Sequence, residues 1–157
     1  MAWTNADGLT VLMHGEQGEV KTQGTTAGAH RTLVVEIPDA SLIPSSGATP
    51  AANDPFLPAG AYVTRATLMV DEGFTSGGAA TLTIGTYTKA GSSIDADGID
   101  AAIALGAING AQEAVVCDGA QVGGTVRVGA ADAYVQLNYG TAAFTAGAGK
   151  LVIEYIV

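Results

Sequence analysis

The sequence predicts an all-β protein: a β-sandwich, jelly-roll-like, with one short helix and an extended N-terminal arm. Three observations lead there. Several runs of five to eight residues alternate between apolar and polar, as half-buried strands do. Glycine and proline clusters separate the runs and supply turn chemistry. The hydrophobic fraction of 48% sits largely in small side chains, with 22 glycines against three Phe and one Trp. Such residues suit closely approaching sheets and bury little area each. At 157 residues the chain has the length of one domain, divided as an arm over 1–30 and a sandwich over 31–157.

Residues 1–30 are polar and Gly/Thr-rich beyond a short strand-like run at 9–14, and contain too little apolar surface for a core. They read either as a tail or as an arm that orders against a neighbouring surface. In the second case Trp3, Leu9, Val11, Leu12 and Met13 are the partner-contact residues. Residues 31–37 follow as a strand with Leu33, Val35 and Ile37 on one face. All five prolines, at 38, 44, 50, 55 and 58, then fall in a loop over 38–58, long enough to suggest a contacting role.

The stretch 56–85 is the centre of the pattern. Tyr62, Thr64, Ala66, Leu68 and Val70 share one face of an extended run, and Ala61, Val63, Arg65, Thr67 and Met69 the other. A Gly-punctuated corner over 71–78 leads to Leu82 and Ile84, so the two runs read as a β-hairpin. A short helix is expected at 98–105, with Asp97 as N-cap, Ile99 and Ile103 one turn apart, and Gly106 closing it. Strands are expected at 113–117, 125–128, 133–139 and 150–157. The last carries Leu151, Ile153, Tyr155 and Val157 on one face and Val152 and Ile156 on the other, as a strand covered on both sides would.

Six Lys and Arg against fifteen Asp and Glu give a formal net charge of −9, which argues against nucleic acid and anionic membranes as partners. One cysteine allows no internal disulfide, no signal-peptide pattern opens the sequence, and no run approaches the roughly 20 apolar residues of a membrane helix. The expectation is a soluble chain made in a cytoplasm.

Catalytic and metal motifs fail on their mechanics. Asp95, Asp97 and Asp100 imitate part of a calcium loop, but the glycine and bidentate glutamate positions hold Asp100 and Gly106. Gly147-Ala148-Gly149-Lys150 lacks the upstream glycine, the Ser/Thr and the helix of a phosphate-binding loop, and reads as a turn into the last strand. His14 and His30 stand in the N-terminal region beside no nucleophile motif. With Cys117 they are too few for structural zinc, and Cys117 itself reads as a small core residue. No enzyme, cofactor or metal site is expected.

The phrases PAGAYVTRAT (58–67), FTSGGAATLTIG (74–85), IDADGI (94–99) and AAFTAGAGKLVIEYIV (142–157), with ADGL at 6–9, resemble the capsid decoration or cement proteins of tailed bacteriophages. The resemblance implies a jelly-roll subunit, homodimeric or homotrimeric, that binds the major capsid protein on the outside of an icosahedral shell. It would be made in the host cytoplasm and reside on the virion. The competing class is a glycan- or receptor-binding sandwich, since fold does not decide function.

Overall fold

A computed structural model describes residues 30–157 together with two short strands near the N-terminus. Those are β1 (Ala2–Thr4) and β2 (Thr10–Leu12), antiparallel, with Trp3 opposite Val11 in register. The remaining strands are β3 (His30–Ile37), β4 (Phe56–Leu57), β5 (Tyr62–Ser76), β6 (Thr81–Tyr87), β7 (Ser93–Ala104), β8 (Ala114–Val116), β9 (Ala133–Gly140) and β10 (Phe144–Ile156).

They form two four-stranded antiparallel sheets, ordered β3-β10-β5-β8 and β4-β9-β6-β7. The pairs β3·β10, β4·β9, β5·β8 and β6·β7 nest inside one another like a single long hairpin. Rolling that hairpin adds the pairs β5·β10 and β6·β9. This is the jelly-roll solution to a sheet with too many edges.

The core lies between the sheets. Val35, Leu68, Val70, Leu151 and Ile153 come from the first sheet, and Leu82, Ile84, Ile99 and Val135 from the second, all buried. Phe74 and Phe144 meet edge-on at one end, ring centroids 5.4 Å apart at 79°. That is the geometry an aromatic quadrupole favours, and it puts two of the three phenylalanines into one contact.

The structure corrects several expectations. Residues 98–105 are not an α-helix: 98–104 belong to β7, and Leu105 opens the 3-10 turn Leu105–Ala107. Ile99 and Ile103 are both buried, but through a bulged strand: Ile103 pairs with Leu82 and Asp100 with Ile84 across a register shift, and Ile99 lies in the segment that loops out next to Asp100. The runs at 62–76 and 81–87 are not a hairpin pair, because β5 and β6 lie in different sheets and Gly77 and Gly78 carry the crossing. The expected faces of β5 hold only from Ala66 onward. Where β10 advances from Glu154 to Tyr155, β5 advances from Arg65 to Val63, and this bulge at Thr64 turns Val63 into the core beside Ala66.

Residues 125–128 form no strand, although Val128 is buried and its N–H donates to the Ala61 carbonyl at 3.1 Å. Gly147–Lys150 is not a turn but part of β10. Gly147, at φ 132°, and Gly149 let β10 press against Phe74 and the Met69 carbonyl, where a Cβ would collide. Val157 ends outside the strand and is exposed.

Candidate functional site

The loop over 38–58 is strapped down along β9. Asp39 caps the 3-10 turn Ala40–Leu42 by accepting from Ser41 N at 2.9 Å, and these bonds from Ser41 hold its carboxyl below the usual range. The Tyr139 N–H donates to the Pro44 carbonyl at 2.9 Å, and the Val135 N–H to the Pro55 carbonyl at 3.1 Å. Between them Gln136 grips Ala48 twice: its Oε1 accepts from Ala48 N at 2.9 Å and its Nε2 donates to Ala48 O at 2.6 Å. The proline-rich segment thus completes the edge of the second sheet instead of hanging free. At its base Phe56 meets Tyr134 with ring centroids 5.5 Å apart and planes tilted by 40°.

Strapping the loop leaves a cleft of about 270 Å³ between it, the end of β3 and β9, floored by Ile37, Ile43, Pro44 and Leu137. Glu36, Asp39 and Asp54 also line it, so its rim is acidic. Leu42 stands on the loop at 75% exposure, the most exposed large hydrophobic among the described residues. Under the loop, Asn138 donates to Tyr87 Oη at 2.9 Å, and Asn138 Oδ1 is buried without a hydrogen-bond partner. Tyr87 is buried, and Gly47 lies so close to its ring that a Cβ at 47 would come within about 2.5 Å of it.

The acidic segment at 95–100 forms a wide bulge. Ile84 pairs with Asp100 and Thr86 with Asp95, so 96–99 loop out opposite Gly85. Burial, then Asp97 beside it, pushes the Asp95 carboxyl up, and burial, with Asp118 nearby, pushes Asp100 up. Among the described residues no three His, Cys, Asp or Glu side chains converge as a metal set. Gln121 fills the space behind the bulge, its Oε1 accepting from Thr86 Oγ1 at 3.1 Å.

Cys117 is buried, and burial followed by the Asp100 charge pushes its thiol up to about 12, so it offers no thiolate nucleophile. His30 is exposed at the start of β3, and His14 lies outside the described residues. Of the expected contact residues, Trp3, Val11 and Leu12 fall in the β1–β2 pair, while Leu9 and Met13 lie outside the described residues. Sequence reasoning did not find the Gln136–Ala48 clamp. Nothing local marks a glutamine that grips a backbone 88 positions away.

The fold defines a class: an eight-stranded antiparallel jelly roll with a loop strapped along one sheet edge. No protein-family model matches this chain, and no curated protein does. Among solved structures, a chain in the capsid of Ralstonia phage GP4 is similar in fold, with a TM-score of 0.51 and 18% sequence identity. The similarity covers 89% of this chain and 92% of that one, so the jelly roll is shared nearly end to end.

Proposed function

We propose that the chain is a virion structural protein that binds and stabilises the outer surface of an icosahedral phage capsid. The observation that carries this reading is the jelly roll shared over 89% of the chain with a phage-capsid chain. The decoration-protein phrases at 58–67, 74–85 and 142–157 fall in its strands and their approaches. Its partner is the major capsid protein, it is made in the host cytoplasm, and it resides on the virion exterior. Contact is made first by Trp3, Leu9, Val11, Leu12 and Met13, of which Trp3 and Val11 are paired in the β1–β2 register. The 38–58 loop, presenting Leu42, is the second contact. Many equivalent copies on one shell add through avidity, and binding to the assembled state stabilises it by mass action.

Jelly rolls also serve as lectins. A glycan platform needs exposed aromatic faces, whereas Tyr87, Tyr134 and Tyr155 are buried and Tyr62 and Tyr139 half-buried. The test is co-sedimentation of purified protein with assembled shells lacking it. Saturable binding together with a higher shell disruption temperature is the expected result. Absence of binding at tens of micromolar, or capture by a glycan array instead, overturns the reading.

A further inference from the structure

The outer face of the β3-β10-β5-β8 sheet points to a second copy of this chain. Across its four strands the register aligns Val34, Val152, Thr67 and Val116 in one row. Val34 is 44% and Val116 58% exposed, and Met69 beside the row is 40% exposed. Parallel to the row on one side stand Glu36 and Lys150, and on the other Glu154 and Arg65, each couple at matched register positions on adjacent strands. Among the described residues none of these four charged side chains has an ion-pair or hydrogen-bond partner. The face is therefore balanced in charge, with exposed valines on its two edge strands and half-buried Val152 and buried Thr67 between them, in a chain of net charge −9.

We infer that two copies stack face to face through this sheet about a two-fold axis running along the strands between β10 and β5. That axis lays β3 on the partner's β8 and β10 on the partner's β5, using all four strands. Val34 then meets Val116 of the partner subunit at both ends of the row, and half-buried Val152 lies over the partner's Thr67, which is buried within its own sheet face. Glu154 and Arg65 meet the partner's Arg65 and the partner's Glu154, an alternating square in which each carboxylate faces a guanidinium. Lys150 lays its stem on the partner's Met69 while Glu36, its own cross-strand neighbour, balances its charge. A two-fold contact of this kind is isologous and closes at the dimer. Three strands about 4.8 Å apart over eight residues at about 3.3 Å, with the three-residue β8 beside them, present roughly 430 Å² in projection before side-chain relief is counted. That lies toward the small end of specific interfaces, so association is expected in the micromolar range.

The test uses the free full-length chain without shells, so its outcome is independent of capsid binding. Wild type at tens of micromolar is expected to sediment at twice the monomer mass. Glu154→Arg and Arg65→Glu each place like charges face to face and are expected to sediment as monomers, with unchanged circular dichroism because both side chains are exposed. Mixed in equal amounts, the two variants present complementary faces and are expected to recover the double mass. Val116→Ser serves as an uncharged check and is expected to shift wild type toward monomer. A monomeric wild type overturns the inference, as do variants that still dimerise alone or a mixture that stays monomeric.

Discussion

Burial alone decides what Cys117 can do. Its thiol, raised to about 12, is almost wholly protonated at pH 8. A thiol reagent should therefore label native protein roughly a thousandfold more slowly than the unfolded chain, whose cysteine titrates near 8.5. Rapid labelling of native protein would show that the residue is open. In the same core Leu151 and Ile153 have no exposed surface. Leu151→Asp or Ile153→Asp should abolish soluble folding, since an unpaired buried carboxylate costs several kcal/mol, comparable with a domain's whole stability. Normal melting of either variant would remove β10 from the core. Asp100 runs the other way: burial raises its folded-state value above the unfolded one, so the folded chain binds that proton more readily. This penalty is full above the folded value and is relieved as pH falls through it toward about 3.9. Asp100→Asn should therefore raise the melting temperature at pH 7, keeping the bond from Ala102 N, and the gain should shrink toward pH 4.

At the scale of the element, bulges mark where local reading of the sequence stops working. Gly85 faces the looped-out 96–99 segment so closely that a Cβ would strike the Ala96 carbonyl, which is backbone and cannot swing aside. Gly85→Ala should cost about 2–3 kcal/mol and lower Tm by roughly 5–10 °C. Gly106→Ala, where a Cβ meets nothing within 4 Å, should melt nearly unchanged. Equal melting of the two would mean that β7 does not bulge toward β6. Regular strands were legible because alternation is a local signal: Leu33, Val35 and Ile37, or Leu151, Ile153 and Tyr155, face inward as their spacing predicts. The bulged strands were not. An inserted residue at Thr64 changes the phase of β5, and in β7 a register shift between Asp100 and Ile103 leaves Ile99 and Ile103 at a helix-like spacing. Only pairing with β10 and β6, formed across long sequence separations, separates the alternatives.

At the scale of the molecule the sandwich was legible and its wiring was not, because nested pairing of β3 with β10 and β4 with β9 leaves no trace in any short window. The candidate contacts divide in the same way. An isolated group of large apolar residues near the N-terminus stands out in composition, while the cleft under the 38–58 loop exists only once Gln136 has clamped Ala48. This division makes truncation informative. Every described core residue lies at or after Leu33, and β3 begins at His30. Deleting residues 1–29 should therefore leave a folded jelly roll with near-normal melting. The removed segment carries Trp3, Leu9, Val11, Leu12 and Met13, and ordering a segment costs about 1–2 kcal/mol per residue in backbone entropy. On the proposed reading a capsid surface repays that cost, so the truncated chain should bind assembled shells much more weakly while keeping its circular dichroism. Loss of folding would place the first strands inside the core. Wild-type affinity in a folded truncation would move the shell contact to the 38–58 loop, where Leu42→Asp, at an exposed position and so harmless to folding, should then abolish binding.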